Sequence, residues 1–318
     1  MLTGHDQPWA EWRAAIAGAR MHHGWILAGR RGIGKRHFAL AAAHELVAEP
    51  GAPAAGDHPD ILLLQPQPTN AEEEKKREEG RPYQTRRNIT VDQLRQMQAR
   101  LTTRPTLGAR RAIIIDAADD LEPQGANALL KSLEEPPVGS FFLLVAHRLG
   151  RLLPTIRSRC RVLQFPELPA EQIDAILRRQ VPQADAAARA AAIASAGGSP
   201  GIALNFVELD LGPIHHLMQE IVTHGDHDLS RRGRLADTIG ACPDRQRQLA
   251  IIDLARAVAV DRLYAGSTAA TGILADTHAD LVRLGAQAST HNFDAGLLVM
   301  EIGGLLARMA VPREAAHG

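Results

Sequence analysis

The chain has 318 residues and a formal net charge of zero, with 36 basic and 36 acidic side chains. This length fits two or three domains, and 45% hydrophobic residues indicate a globular chain rather than a disordered one. A neutral chain has no overall attraction for nucleic acid, so any contact with DNA needs a local basic patch or a partner. The two cysteines, Cys160 and Cys242, exclude a disulfide framework and a zinc site built from cysteine alone. No signal peptide and no membrane-spanning apolar run are present in the sequence, so we expect a cytoplasmic protein without membrane contact.

The first half of the chain alternates short apolar runs with helical patterns. Five runs have the character of buried strands: 24–28, 61–64, 112–116, 141–146 and 161–165. The intervening patterns at 37–48, 90–101 and 126–133 are typical of helices, while 49–57 is a loop and the polar segment 65–88 is predicted to be a mobile surface insertion. Strands that alternate with helices predict a parallel sheet covered on both faces.

After Pro166 the strand patterns end and only helical patterns remain. Three short helices are predicted at 170–179, 184–196 and 201–207, followed by longer ones at 214–223, 245–264, 271–285 and 294–309. We therefore predict an α/β fold followed by an all-α region. The predicted domains are a sheet domain at 1–165, a small three-helix domain at 166–208 and a helical domain at 209–318.

A glycine-rich loop between the first strand and the next helix is the first functional motif. In Gly-x-x-x-x-Gly-Lys, the glycines let backbone N–H groups converge on phosphate oxygens at a helix N-terminus, and the lysine reaches the β- and γ-phosphates. The candidate nucleotide-binding residues here are Gly29, Gly32, Gly34 and Lys35. An ordinary glycine turn is the alternative, but the strand–loop–helix context favours a P-loop.

Three further motifs carry a family resemblance: His58-Pro59-Asp60, Asn127-Ala128-Leu129-Leu130-Lys131-Ser132-Leu133-Glu134-Glu135-Pro136-Pro137 and Ser158-Arg159-Cys160. Together with the P-loop they resemble the clamp-loader branch of the AAA+ ATPases. The match is dense over 22–165, weak over the following short helices, and only architectural over the last third. The resemblance implies an AAA+ RecA-like parallel sheet domain, a three-helix lid and a C-terminal helical collar that mediates assembly.

The resemblance also implies partners and cofactors. The implied partners are the clamp-loader motor subunits and the delta subunit, and, through the complex, the sliding clamp and primed DNA. Many family members carry a four-cysteine zinc module between the P-loop helix and the His-Pro-Asp segment. Because 49–57 contains no cysteine, no zinc is expected here.

Four positions depart from a hydrolysing AAA+ site. Arg36 replaces the Ser or Thr whose hydroxyl binds Mg²⁺, and a guanidinium has no lone pair for a metal. Asp116 ends a strand as a Walker-B acid does, but Ala117 stands where the glutamate that orients water is expected. Ala146 and Pro200 occupy the positions of a polar and a basic sensor. We interpret this as a site that has lost hydrolysis, where ATP or ADP binding is weak or absent and no cofactor is required.

The resemblance assigns a role to Arg159. In the family, the arginine of Ser-Arg-Cys points into the ATP site of a neighbouring subunit, as an arginine finger given in trans. The alternative is that Arg159 only pairs with a local acid, as surface arginines commonly do. The implied function is that of a non-hydrolysing clamp-loader subunit, belonging to a DNA polymerase III holoenzyme.

Two other functions remain open. An active AAA+ ATPase could use Asp119 or Asp120 in place of the missing glutamate, and restoring Ser at position 36 would then raise its activity. A P-loop kinase or nucleotide-binding regulator would lack the required catalytic residues, and it would leave Ser158-Arg159-Cys160 without a role.

The remaining polar residues are given structural readings. We expect turn formation by His58, Asp60 and Ser158, burial of Cys160, and no metal at His22–His23. We also expect a structural or interface role for Glu134–Glu135. For Arg110–Arg111, Arg148 and Arg151 we expect contact with solvent rather than with DNA. Whether Arg157 contacts the same subunit interface as Arg159 remains open.

Overall fold

The five predicted strands form one parallel sheet in the computed structural model. They are β1 (Gly24–Ala28), β2 (Ile61–Leu64), β3 (Arg111–Asp116), β4 (Ser140–Ala146) and β5 (Arg161–Gln164). Their order is β2-β3-β4-β1-β5, so the first strand lies inside the sheet, between β4 and the edge strand β5. Every residue of β1 is buried, because helices cover both faces of a parallel sheet.

The structure describes residues 4–18, 20–48, 58–81, 83–241, 243, 245–265, 271–288 and 294–310. The predicted loop at 49–57 and Cys242 lie outside them. The chain divides into two compact units, Met1–Leu168 and Pro169–Gly318. This division has a single boundary, between Leu168 and Pro169, and none at the predicted boundary between 208 and 209. The three-domain scheme stays a prediction.

The first unit has six α-helices within the described residues, and all but the third contribute side chains to the cores on the two faces of the sheet. They are α1 (Asp6–Ala17), α2 (Lys35–Val47), α3 (Ala71–Glu78), α4 (Val91–Leu101), α5 (Pro123–Glu134) and α6 (Pro154–Arg157). Successive strand residues point to opposite faces. Thus Ile26 joins a core with Leu94 and Leu129, whereas Trp25 joins a core with Phe38.

Two helices of this unit differ from the predictions. Trp12 of α1 is fully buried, with its ring 5.5 Å from that of Trp25. Helix α3 lies inside the predicted mobile insertion at 65–88, and the Asn70 side chain caps it. Glu73 of α3 accepts hydrogen bonds from the Gln84 backbone and from Lys76, so this part of the segment is an ordered helix. Most of its other charged side chains are exposed, as predicted for a solvated surface segment.

The second unit is entirely helical within the residues described. Its helices are α7 (Ala170–Gln180), α8 (Ala186–Ala196), α9 (Pro200–Glu208), α10 (Gly212–His224), α11 (Ser230–Ile239), α12 (Arg245–Ala265), α13 (Thr271–Ala288) and α14 (Ala295–Ala307). Of these, α11 is not anticipated from the sequence. The predicted fold class, a parallel α/β sheet domain followed by helices, is confirmed. Among the described helices, none has both the length and the apolar content needed to cross a membrane.

Candidate functional site

The glycine-rich loop connects the carboxyl end of β1 to the first turn of α2. Gly32 and Gly34 have φ angles of 79° and 104°, which side chains other than glycine rarely adopt. A Cβ atom on Gly29 would lie 2.6 Å from the Phe165 carbonyl oxygen, so this glycine permits a close approach of two backbones. The three predicted glycines therefore shape a genuine strand–loop–helix turn.

Lys35 is folded back onto this loop. Its side chain is buried, and Nζ donates hydrogen bonds of 2.6 Å to the carbonyl oxygens of Gly29 and Arg30. Burial lowers the pKa of Lys35 to about 8, and the negative charges of Asp119 and Asp116 offset part of that effect. The predicted phosphate-binding lysine thus has partners within its own loop.

Arg36 forms an ion pair with Asp116, the predicted Walker-B acid. Its Nη1 atom lies 3.5 Å from Oδ2 of Asp116 at the end of β3. Burial raises the pKa of Asp116, while the positive charges of Arg36 and Lys35 act in the opposite direction. The residue that replaces the metal-binding hydroxyl therefore brings its own positive charge to the carboxylate.

The residues at this position do not fit a Mg²⁺ ion. Magnesium requires oxygen ligands in near-octahedral geometry, and Arg36 offers none. A metal beside Asp116 would also lie next to a guanidinium of the same sign. The backbone of the loop has the left-handed glycines of a phosphate-binding turn. At the position predicted to hold a metal, Arg36 and Asp116 form an ion pair instead.

Asp119 is fully engaged in holding the loop that follows β4. Its Oδ1 accepts a hydrogen bond from the His147 backbone N–H at 2.9 Å, and its Oδ2 accepts one from Arg148 at 3.2 Å. Its carboxylate is also 3.9 Å from Arg148 Nε. Asp119 therefore has a structural role that competes with any role as a substitute for the missing glutamate. Ala117, which stands where the missing glutamate is expected, is buried.

The end of β4 carries no polar sensor at the predicted position. Ala146 is fully buried beside Ala28, and its carbonyl accepts the Gly29 N–H at 3.3 Å. The next residue is His147, which the sequence analysis did not single out. Burial, followed by the positive charge of Lys35, lowers the pKa of the His147 ring to about 4, so the ring is neutral at pH 7.

In the second unit, the predicted proline opens α9. Ser199 accepts a hydrogen bond from the Ile202 N–H as the cap of this helix, and Pro200 occupies its first turn. Proline at this place is favoured because its missing N–H would have no helical partner. The residue is thus explained by helix initiation, and it brings no positive charge.

Arg159 lies at the end of the sheet opposite to the P-loop. A Cβ atom on Gly24, the first residue of β1, would be 3.2 Å from the Arg159 carbonyl oxygen, whereas the P-loop follows Ala28. The four steps from Gly24 to Ala28 span about 13 Å at the usual rise of a strand. The Arg159 guanidinium is directed to Glu134, with Nη2 2.7 Å from Oε1, while Nη1 donates to the Thr155 carbonyl and the Ser158 hydroxyl.

Three further sequence interpretations are corrected or clarified by the structure. Arg111 is not a surface residue: it is buried, with Nη2 3.4 Å from Oδ1 of the fully buried Asp60. Asp60 in turn accepts the backbone N–H groups of Thr106 and Leu107, so it organises more than its own turn. Cys160 is partly buried, and burial raises the pKa of its thiol to about 12, consistent with a packing role.

Comparison with known proteins gives the family. Residues 4–169, more than half of the chain, match the family model described as DNA polymerase III, delta subunit. The chain belongs to this family. It is 35% identical to DNA polymerase III subunit delta' of Pseudomonas aeruginosa over 209 residues, which cover 61% of this chain and 58% of that protein. It is also 35% identical to subunit delta' of Escherichia coli over 156 residues, covering 49% and 42%.

The clamp-loader resemblance found in the motifs is thereby confirmed, and the two relatives named above are delta' subunits. The chain spans about half the length of these curated relatives. Among solved structures, a DNA polymerase III gamma subunit-related protein from Thermotoga maritima aligns with 95% of this chain and 99% of its own. Its TM-score is 0.48 and its sequence identity is 18%.

Sequence reasoning found the P-loop glycines, Lys35, Asp116 and Arg159, but not how they are paired. The structure brings Arg36 and Lys35 near Asp116, and it separates Arg159 from all three. No sequence signal linked Glu134 to Arg159. The alternative that Arg159 pairs with a local acid anticipated such a contact without naming the acid, and Glu134–Glu135 were assigned a structural or interface role.

Proposed function

We propose that this chain is a non-hydrolysing subunit of the replicative clamp loader. In this role it supports the ATP-dependent loading of the sliding clamp onto primed DNA, as part of a DNA polymerase III holoenzyme. The observation that carries the proposal is the ion pair between Arg36 and Asp116. A fixed cation stands beside the acid at which a working site holds Mg²⁺, and Ala117 and Ala146 add no polar group. Family membership and the similarity to delta' subunits support the choice of complex.

Arg159 is proposed to act on the ATP site of a neighbouring subunit. Its position at the amino end of β1 and β5 separates it from its own P-loop, so a nucleotide that it contacts belongs to another chain. Its side chain is 36% exposed, which leaves the guanidinium accessible to a partner. An arginine finger stabilises the charge of the phosphoryl-transfer transition state and raises the rate by roughly 10³–10⁵ in well-studied NTPases. The chain would then assist catalysis without performing it.

Assembly with the motor subunits and the delta subunit is proposed to use the C-terminal helices. Large apolar side chains are exposed on α13 and α14: Ile273, Val282, Leu297 and Met300. Leu297 and Met300, three residues apart, lie on the same side of α14, and exposed apolar groups that share a helix face are typical of a contact surface. Contact with the clamp and with primed DNA would follow from membership of the complex, and nucleotide bound by this chain is not required for it.

The test is clamp- and primed-DNA-stimulated ATP hydrolysis by a reconstituted loader that contains Arg159→Ala. We expect the complex to assemble and its hydrolysis to fall. Arg151→Ala is the matched control, because Arg151 is an exposed arginine in the turn that follows β4. Unchanged hydrolysis in an intact Arg159→Ala complex would refute the arginine finger. If the unmutated chain does not join the complex, the proposed subunit role is wrong.

A further inference from the structure

Glu134 and Arg159 are brought together by the packing of two short elements. Glu134 is the last residue of α5, and Arg159 lies in the turn between α6 and β5. The neighbouring residues Leu133 and Ile156 are each 1% exposed and share one hydrophobic core. The core thus fixes the two backbones, and the charged side chains meet at the surface above it.

The guanidinium of Arg159 is held on its own chain by three acceptors. Nη2 contacts Glu134 Oε1 at 2.7 Å, and Nη1 donates to Thr155 O at 3.0 Å and to Ser158 Oγ at 3.3 Å. Of these three acceptors, only Glu134 is negatively charged. The carbonyl and the hydroxyl can orient the side chain without opposing an incoming anion.

A phosphate group that approaches Arg159 would compete with the Glu134 carboxylate. Both groups are anions, and both seek the N–H donors of the same guanidinium. A phosphate that contacts Arg159 therefore either displaces the Glu134 carboxylate or lies close enough to be repelled by its negative charge. Since Glu134 and Arg159 are 49% and 36% exposed, water and a partner chain can reach the pair.

We propose that Glu134 is an intramolecular counter-ion that restrains Arg159 until the phosphates of a neighbouring nucleotide displace it. This inference rests on the proposed trans role of Arg159. Glu134 is a positioning residue that acts through Arg159 and does not touch the nucleotide. Removing its charge makes the guanidinium more available, so the neighbouring site binds ATP more tightly.

The adjacent Glu135 provides a matched control. It is also exposed and one position away, but it forms no ion pair with the described part of the chain. Its backbone N–H closes the end of α5 by bonding to the Lys131 carbonyl, and replacement of the side chain leaves that bond in place. Glu134→Gln and Glu135→Gln thus remove the same charge at nearly the same place.

The experiment uses the complete reconstituted loader with the clamp and primed DNA. ATP hydrolysis is titrated for complexes that carry Glu134→Gln, Glu135→Gln, Arg159→Ala, or Glu134→Gln together with Arg159→Ala. The Arg159-dependent part of hydrolysis is the difference from the Arg159→Ala complex. In this Arg159-dependent hydrolysis, Glu134→Gln should lower the KM for ATP by about two- to fivefold and leave kcat nearly unchanged. This fold-change corresponds to the loss of one exposed ion pair. Glu135→Gln should match the unmutated complex, and Glu134→Gln should have no further effect when Arg159 is Ala.

The outcomes separate this inference from the proposed function. If Arg159→Ala leaves hydrolysis unchanged in an intact complex, the trans role of Arg159 fails, and the restraint fails with it. If Arg159→Ala lowers hydrolysis but Glu134→Gln behaves like Glu135→Gln, the finger stands and the restraint is wrong. A Glu134→Gln complex with lower kcat or higher KM would also overturn the restraint, because Glu134 would then be holding Arg159 in its working orientation.

Discussion

Arg36 Nη1 lies 3.5 Å from Asp116 Oδ2, so the helix that follows the glycine-rich loop supplies the counter-ion of the predicted Walker-B acid. In a hydrolysing P-loop protein, a hydroxyl at this position and the acid share a metal ion. Here the two positions neutralise each other directly. The pair is partly exposed, so its contribution to stability is small, and its consequence is chemical rather than structural.

Replacing Arg36 alone should not create an ATPase. Arg36→Ser restores the hydroxyl, but Ala117 and Ala146 still provide no group that orients water or senses phosphate. We expect hydrolysis by the purified chain to remain at background for the unmutated protein and for Arg36→Ser. Steady-state phosphate release measures this, with Arg151→Ala as a control for the loss of an exposed positive charge. A rate in Arg36→Ser similar to that of an intact AAA+ motor would favour the alternative of an active ATPase.

Asp119 should matter for stability. Its carboxylate accepts the N–H groups of His147 and Arg148, and hydrogen bonds to a charged acceptor each contribute about 1.5–3 kcal/mol. We expect Asp119→Asn to lower the free energy of unfolding by about 2 kcal/mol in urea titrations. Asp120→Asn is the control, because the Asp120 carboxylate makes no hydrogen bond to the described residues. Equal losses of stability in the two variants would contradict a role of the Asp119 hydrogen bonds in holding the loop after β4.

Asp60 should make stability depend on pH in the acid range. Burial acts to raise the pKa of Asp60, but the N–H groups of Leu107 and Thr106 and the charge of Arg111 together hold this pKa below its usual range. The unfolded chain therefore takes up the proton more readily, and the stabilisation is present above about pH 4 and lost as the pH falls further. At pH 7, Asp60→Asn should cost about 3 kcal/mol, because it leaves Arg111 buried without its counter-ion.

The measurement for Asp60 compares urea unfolding at neutral and acid pH. The difference between the unmutated protein and Asp60→Asn should narrow as the pH falls below about 4. Asp92→Asn is the control, since Asp92 forms an exposed ion pair with Arg95 and should change stability by less than about 1 kcal/mol. A difference for Asp60→Asn that stays constant across this pH range would show that its ionisation is not linked to folding.

The apolar face of α14 formed by Leu297 and Met300 should be needed for assembly. Leu297 on α14 is 71% exposed, so Leu297→Glu should leave the fold intact but weaken binding to the other loader subunits by about tenfold or more. Val138, which is 95% exposed in the turn before β4, gives the control Val138→Glu. Analytical ultracentrifugation of the mixed subunits measures both effects. Assembly that tolerates Leu297→Glu as well as Val138→Glu would exclude this face from the interface.

Much of the fold followed from local patterns. The five apolar runs became the five strands within about one residue, and the helices at 170–179, 184–196 and 201–207 were found because apolar spacing and caps are local signals. Helices α1 and α3 were not predicted. Helix α1 is held by Trp12 against Trp25, and α3 is tied to Gln84 by Glu73, and neither contact has a local signature.

The sequence by itself determined the strand–loop–helix of the P-loop, the loss of the hydroxyl at Arg36 and of the glutamate at Ala117, and the presence of Arg159 in a clamp-loader motif. These are statements about residue type and spacing. The tertiary structure alone decided that Arg36 neutralises Asp116, that Arg111 is buried on Asp60, and that Glu134 contacts Arg159 at the opposite end of the sheet from the P-loop. The physical reason is that the attraction between two charges depends only on their distance in space and leaves no pattern in the sequence. Which charged residues of distant segments come close is set by the strand order and the packing of the helices.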